Sequence, residues 1–232
     1  QVHEMVNDQL GGRTIVVPYC TLCGSAQAFF TDELDGEVLD EPLVFRTSGL
    51  LSRSNKVMYE LGSQSIFDTF TGRARSGPMF VDGVHLAQLT VSVSTWGEWR
   101  SEHPGTTIIA GDGGVGRVYP EDPLFDRDDS GPIFPIGELD DRLTVHHPVV
   151  GAVTADGVAV AFDAIEARAV LADGGSVVAL DEDGTVIATV SSDGAGLSVT
   201  SADGLELATH ESFWFAWSQF WPQTLLWANV MA

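Results

Sequence analysis

Asp-Gly pairs divide much of this chain into short apolar segments. Such pairs favour the tight turns of β-hairpins, and short apolar segments between turns are typical of strands. The pairs include Asp35-Gly36, Asp183-Gly184, Asp193-Gly194 and Asp203-Gly204. We therefore expect a mainly β protein, built as a barrel or a sandwich pair, with a few short helices.

A tryptophan motif that occurs twice indicates an internal repeat. Residues 96–106 and residues 214–224 both have the pattern W-x-x-W-x-x-x-x-P-x-T. Tryptophans three apart lie on one face of a helix, and the proline then ends that helix. We expect each copy to end in a short Trp-rich helix that buries two indoles against a sheet, with a strand following at residues 107–110 or 225–227.

A second match supports two degenerate copies of one β-barrel or sandwich-like unit. Residues 6–17 and residues 170–180 each contain paired glycines next to an apolar strand. The predicted boundaries are 1–110 for the first repeat, 111–147 for a connection rich in Gly, Asp and Pro, and 148–232 for the second repeat. A strand at residues 143–146 is expected just before the second repeat.

The charge of the chain excludes some partners. Acidic residues number 33 against 11 basic ones, for a formal net charge of -22, and Lys56 is the single lysine. This balance is typical of proteins that stay hydrated in concentrated salt, so we expect a halophilic source. Nothing offers a basic stripe for nucleic acid, and no apolar run reaches the roughly 18 residues of a membrane span.

Six segments, in this order along the chain, resemble the domain of unknown function 3179 family. They are His3–Asp8, Gly11-Gly12, Tyr19–Ser25, Ser48–Tyr59, Gly72–Pro78 and Trp96–Pro104. The resemblance implies an extracytoplasmic bacterial or archaeal protein, secreted or anchored at the cell surface through a segment before Gln1. It implies no established activity, and a protein partner at a membrane or cell surface is compatible with it.

Cys20 and Cys23 are the only cysteines, and they mark the candidate site. The pair lies at the end of a predicted strand with Gly24 after it, so the turn can point both sulfurs at one place. Three interpretations stay open: half of a metal site, a redox pair, or a plain structural disulfide. The second repeat has only an ordinary turn at the matching place, which puts the chemistry in the first repeat.

A metal would need ligands besides the two thiolates, because a second Cys-x-x-Cys is absent. His3, in the segment that leads into the Cys strand, and Met58 are the candidates, with His103 as a further one. Two thiolates, an imidazole and a thioether form a soft set that favours copper over zinc or iron. Met58 as core filler and His103 as a helix C-terminal residue are the alternatives for those two.

The sequence thus predicts an extracytoplasmic metal-binding protein, with copper as the favoured metal, for electron transfer or metal delivery. A thiol-disulfide oxidoreductase and a structural subunit of a cell-surface complex are the competing hypotheses. Asp126–Gly131 resembles the start of a calcium loop, but Gly137 stands where that loop needs a glutamate.

Overall fold

A computed structural model describes residues 3–34, 36–112, 116–121, 132, 136–192 and 196–228. Strands account for 41% of the chain and helices for 13%, so the expectation of a mainly β protein is confirmed. The sheets are open, and within the described ranges none closes into a barrel, so the barrel alternative is wrong. The calcium-loop segment Asp126–Gly131 lies outside the described residues.

Two sheets form the first half of the chain. The first has the order β1-β2-β4-β11, with β3 paired to β2; its strands are β1 (Met5–Leu10), β2 (Arg13–Cys20), β3 (Ser25–Ala26), β4 (Ala28–Phe30) and β11 (Gln88–Leu89). The second has the order β10-β9-β8-β7; its strands are β7 (Phe45–Ser52), β8 (Asn55–Glu60), β9 (Ile66–Asp68) and β10 (Ala74–Ser76). A small hairpin and a single helical turn complete this half: β5 (Glu33–Leu34), β6 (Glu37–Val38) and α1 (Pro78–Val81).

Apolar side chains from both of these sheets meet in one core. Val16 and Phe29 come from the first sheet, and Phe45, Met58 and Phe67 come from the second. All five are 1% exposed or less. Burial of these rings and branched chains is the main force that holds the two sheets together.

The second half also has two sheets, together with two helices. One sheet has the order β18-β12-β13-β19; its strands are β12 (Pro148–Val153), β13 (Ala159–Asp163), β18 (Thr209–Phe213) and β19 (Leu225–Trp227). The other has the order β14-β15-β16-β17; its strands are β14 (Val177–Leu180), β15 (Val186–Ser192), β16 (Leu197–Ser201) and β17 (Glu206–Leu207). The remaining helices of the described chain are α2 (Trp96–Glu102), which precedes this half, α3 (Ala164–Ala172) and α4 (Trp214–Phe220).

The sheet of β12 and β13 is covered on both faces. Val150 and Phe162 point into a core shared with α3 and the other sheet. Their neighbours Val149 and Ala161 point the opposite way, as the period of two in a strand requires, into a core built around α4. Cys20 and Cys23 of the first half belong to this second core, so the two halves are packed together there.

The two tryptophan motifs share a local structure but not an environment. In both, the first indole begins a seven-residue helix, and the second indole donates from Nε1 to the threonine seven residues later, at 2.9 Å for Trp99 and 3.0 Å for Trp217. Both indoles of α4 are buried, whereas α2 buries none of its residues and Trp96 is 47% exposed. The prediction of buried indoles is right for α4 and wrong for α2.

The wider repeat is not confirmed. Val6 lies in strand β1, whereas Val170, its predicted counterpart, lies in helix α3. The strand after α4 is present as β19, but residues 107–110 form no strand. Residues 143–146, also predicted as a strand, form turns instead, and Leu143 and Val145 pack against the core around α4.

Candidate functional site

A tight turn between β2 and β3 brings the two cysteines together. Cys20 ends β2, and its carbonyl accepts a hydrogen bond from the Cys23 N–H at 3.2 Å. Gly24 has a φ of 57°, a left-handed conformation that glycine adopts without strain. The chain then returns as β3, where Ser25 pairs with Cys20. The predicted bend at Gly24 is therefore present.

The two sulfurs are buried and differ in acidity. Both thiols are free, and Cys20 is 1% exposed and Cys23 0%. The pKa of Cys20 is lowered by a hydrogen bond with the Cys23 side chain and by the backbone N–H groups of Lys56, Cys23 and Leu22, against the opposing effect of burial. Burial raises the pKa of Cys23 well above its ordinary value, and the hydrogen bond to Cys20 and its charge act in the same direction.

The tip of the β7–β8 hairpin covers Cys23 from the first half. The Cys23 thiol donates to the Ser54 carbonyl at 2.9 Å. The preceding residue, Arg53, has a left-handed φ of 56°, donates to the Phe220 carbonyl at 3.2 Å and places its guanidinium 4.9 Å from the centre of the Phe220 ring. The hairpin tip therefore contacts both the cysteine turn and helix α4.

A series of hydrogen bonds between buried polar side chains links the turn to strand β8. Ser25 Oγ donates to Asn55 Oδ1 at 3.0 Å, and Asn55 Nδ2 donates to Thr69 Oγ1 at 2.8 Å. Thr69 Oγ1 in turn donates to the Lys56 carbonyl at 2.6 Å. Because unpaired polar groups are costly in a core, these hydrogen bonds hold Lys56 in one position, with its N–H pointing at Cys20.

Strand β18 of the second half covers the cysteine turn from the other side. The Phe213 N–H donates to the Cys23 carbonyl at 2.8 Å. A Cβ added at Gly24 would lie 3.0 Å from the Phe213 ring, so the ring lies directly against the turn. Residue 24 must therefore be small as well as left-handed.

Glu4 and Lys56 form an ion pair beside the cysteines. The Lys56 ammonium, 12% exposed, contacts Glu4 Oε2, and Thr21 Oγ1 donates to Glu4 Oε1 at 3.1 Å. Glu4 has a left-handed φ of 58°, uncommon for a residue with a side chain, and its carbonyl accepts from the Tyr19 N–H at 3.0 Å. Lys56, the only lysine of the sequence, makes this contact.

The other residues predicted as ligands lie in three different surroundings. His3 is exposed, and its Nε2 is 2.6 Å from the Tyr119 hydroxyl. Met58 lies in the core between the two sheets of the first half, a different cluster from that of the cysteines. His103 caps the C-terminus of α2 and packs on Trp99, with ring centres 4.3 Å apart.

The structure thus brings together Cys20 and Cys23 of the predicted set. In the described ranges no group of three or more His, Cys, Asp and Glu side chains is close enough to hold a metal ion. The same residues contain no helix long and apolar enough to cross a bilayer.

Comparison with protein families decides the membership of the chain. The model of a family described as a protein of unknown function, DUF3179, matches residues 1–224. The chain belongs to the DUF3179 family. No curated protein and no solved structure matches it.

Sequence reasoning finds the cysteines of this DUF3179 chain but misses the groups around them. Ser54 acts through its carbonyl, and Phe213 acts partly through its N–H; backbone atoms leave no trace in residue type. The Phe213 ring also contacts the turn, but it comes from a distant part of the sequence. Asn55 and Thr69 belong to polar stretches that are typical of turns. The one sequence feature that indicates these surroundings is the pair of opposite charges on Glu4 and on Lys56, the single lysine.

Proposed function

We propose that this protein exchanges electrons with a partner disulfide through Cys20 and Cys23. The contact between the two sulfurs carries the proposal, because a thiol that attacks and a thiol that resolves must lie side by side. Cys20, with its lowered pKa, is the attacking thiolate, and Cys23 stays protonated until the second step.

The exchange has two displacement steps. Cys20 Sγ attacks one sulfur of the partner disulfide and forms a mixed disulfide with it. The S–S bond of the partner breaks, and the other partner sulfur leaves and takes up a proton. Cys23 then loses its proton and attacks Cys20 Sγ, which releases the second partner sulfur as a thiol. The partner gains two electrons and two protons, the Cys pair becomes a disulfide, and the reverse sequence oxidises a partner dithiol.

Access to the sulfurs requires the cysteine turn to separate from its cover. Both thiols are buried under Phe213 and the tip of the β7–β8 hairpin. Local opening of such contacts occurs at a free energy below that of global unfolding. Disulfide chemistry is also typical of oxidising compartments, which agrees with the extracytoplasmic location that we propose.

A redox titration tests the proposal. Reduced protein is equilibrated in thiol-disulfide buffers of defined potential, alkylated, and weighed by mass spectrometry, with Cys20→Ser and Cys23→Ser as variants. We expect a reversible Cys20–Cys23 disulfide in the wild type at a potential above about -300 mV, the range of exchangeable rather than structural bonds. A disulfide that resists reduction below that potential, or none at any potential, contradicts the proposal.

Alkylation of the reduced protein tests how the thiols are reached. Phe213→Ala removes the ring that covers Gly24, and we expect it to speed the modification of Cys20 by at least tenfold while the fold remains. Phe80→Ala is the matched control, since Phe80 is a 54% exposed ring on α1. An equal acceleration in both variants would show that global unfolding, not opening of the turn, exposes the thiols.

Copper binding remains a second proposal, favoured by the same two sulfurs. Soft thiolates select Cu(I), and two thiolates that meet at one point can hold it without His3 or Met58. Reduced protein loaded with Cu(I) without oxygen should retain about one metal ion per chain after desalting. Loss of that metal in Cys20→Ser but not in Met58→Leu would support the site, and retention in Cys20→Ser would exclude it.

A further inference from the structure

The carboxylate of Glu4 joins the cysteine turn to strand β8. Glu4 directly precedes β1; its Oε1 accepts the Thr21 hydroxyl at 3.1 Å, and its Oε2 contacts the Lys56 ammonium. Thr21 follows Cys20 in the turn and is 2% exposed, and Lys56 is the second residue of β8. One side chain therefore holds the two segments that meet at the Cys20 sulfur.

The backbone of Glu4 is also held in place. Its φ of 58° is uncommon for a residue other than glycine, and such a conformation persists where the surrounding contacts determine it. The Glu4 carbonyl accepts the N–H of Tyr19, the residue before Cys20, at 3.0 Å. The carboxylate is thus anchored beside the end of β2, which lets it set the position of the groups that it binds.

Lys56 supplies the group that this contact positions. Its N–H points at the Cys20 sulfur. Its carbonyl accepts from the Thr69 N–H at 3.3 Å and from the Thr69 hydroxyl at 2.6 Å, and its ammonium, 12% exposed, lies against Glu4. Lys56 is therefore held by Thr69 through the main chain and by Glu4 through the side chain. A donor that is fixed in this way stabilises the thiolate of Cys20 in preference to the thiol.

The charge of Glu4 and its contacts predict opposite effects on Cys20. A carboxylate close to a thiol disfavours the thiolate, so by its charge Glu4 opposes ionisation of Cys20. By its contacts with Thr21 and Lys56, Glu4 favours ionisation, because it keeps the N–H donor on the sulfur. Phe213, which covers the turn from the second half, carries no charge. The direction in which the pKa of Cys20 changes when Glu4 is made neutral therefore separates the two effects.

We propose that Glu4 is a positioning residue: its carboxylate holds the cysteine turn against β8, so that the Lys56 N–H stays on the Cys20 sulfur. This role rests on the thiol chemistry proposed above, since Cys20 attacks as a thiolate. Glu4 acts through Thr21 and Lys56 and takes no part in the bond changes.

A titration of the Cys20 thiol tests the proposal. Reduced protein labelled with ¹³C at the cysteine Cβ atoms is followed by NMR from about pH 5 to about pH 11, and Cys20→Ser assigns the two signals. We expect Glu4→Gln to move the Cys20 midpoint to higher pH by about one pH unit, because a hydrogen bond to the thiolate is weakened. Cys23, which lowers the pKa of Cys20 most, is kept in this variant. A midpoint that falls or stays constant overturns the proposal.

Glu33→Gln is the matched control. Glu33 accepts from Arg13 at 2.7 Å, and its side chain is 24% exposed, close to the 20% of Glu4. Arg13 begins β2, at the opposite end of the strand from Cys20. This variant breaks an ion pair on the same strand away from the cysteine turn, so we expect the Cys20 midpoint of wild type. An equal shift in Glu4→Gln and Glu33→Gln overturns the proposal, because it would report a general effect of losing an ion pair.

Thr21→Val tests the same contact without any change of charge. It removes the hydroxyl that donates to Glu4 Oε1 and keeps the branched shape of the side chain. We expect the Cys20 midpoint to rise here too, by less than in Glu4→Gln, because the ion pair with Lys56 remains. An unchanged midpoint in Thr21→Val overturns the proposal even where Glu4→Gln does not fold.

The titration uses reduced protein alone, with no disulfide partner and no metal. Its result therefore stands apart from the redox titration of the cysteine pair. The expected shifts in a protein that forms no reversible disulfide would support the role of Glu4 and refute the electron exchange. Reversible exchange without these shifts would refute the role of Glu4 alone.

Discussion

The imidazole of His210 is neutral because it lies in an uncharged surrounding. Burial lowers its pKa from 6.5 to about 3, and the groups that contact the ring are Gln88, Phe70 and Trp217. The unfolded chain therefore binds a proton between these two pKa values that the folded chain does not. The free energy of unfolding must fall as the pH falls through this window, by up to about 1.4 kcal/mol per pH unit.

Replacing His210 with phenylalanine should flatten this dependence. We expect wild type to lose stability more steeply than His210→Phe between about pH 6 and pH 4, in urea unfolding followed by tryptophan fluorescence. A comparison at about pH 8, where the imidazole is neutral in both states, gives the baseline difference between the two proteins. Buried Asp68 and Glu211 have raised pKa values and act in the opposite direction in both proteins. Parallel slopes would mean that His210 is protonated in the folded state.

At the level of elements, strand β12 and helix α4 approach each other through a glycine. A Cβ added at Gly151 would overlap the ring of Trp217, which is 0% exposed and cannot move aside. We expect Gly151→Ala to lower the free energy of unfolding by about 1–3 kcal/mol, as overpacking of a core does.

Gly97 in helix α2 is the matched control for that substitution. A Cβ there meets nothing within 4 Å, and alanine is the better helix former, so Gly97→Ala should raise the stability by up to about 1 kcal/mol. Denaturant unfolding of both variants measures the contrast. A Gly151→Ala protein as stable as wild type would show that α4 packs less tightly on β12 than the structure has it.

The elements also show how far sequence reasoning reaches. The two tryptophan motifs form short helices, α2 and α4, as predicted, because local spacing and the following proline determine them. Helix α3 is missed, although Asp163 at its N-cap accepts from the N–H groups of Ile165 and Glu166, both at 3.0 Å. The paired glycines after α3 predict a turn that feeds an apolar strand, and β14 does follow them, but the element that precedes them is a helix.

The candidate site was predictable only in its local part. The spacing of Cys20 and Cys23 and the glycine after them determine the turn within a few residues. The cover supplied by Phe213 comes from the far end of the chain, and no local pattern encodes it. The exposure of α2 has the same cause. Its motif matches that of α4, but α4 is buried by a sheet that includes β12, a strand far away in the sequence.

For the molecule as a whole, the net charge of -22 should make stability depend on salt. Repulsion among carboxylates weakens as the Debye length falls to about 3 Å at 1 M. We expect the midpoint of thermal unfolding to rise steeply as KCl increases to about 1 M. Any further rise above this concentration reports the strengthening of apolar burial instead. A midpoint that stays constant below 1 M would contradict the role of charge.

The contact of Phe213 with the cysteine turn sets an order of events during synthesis. The turn is synthesised before the residue that covers it and before β19, which follows α4 and lies in the same sheet as β18. Before Phe213 docks, its ring and N–H do not yet shield the turn, so a reagent that modifies Cys20 or Cys23 meets less obstruction then. Once β18 has docked, the same contact protects whichever form of the two sulfurs is present.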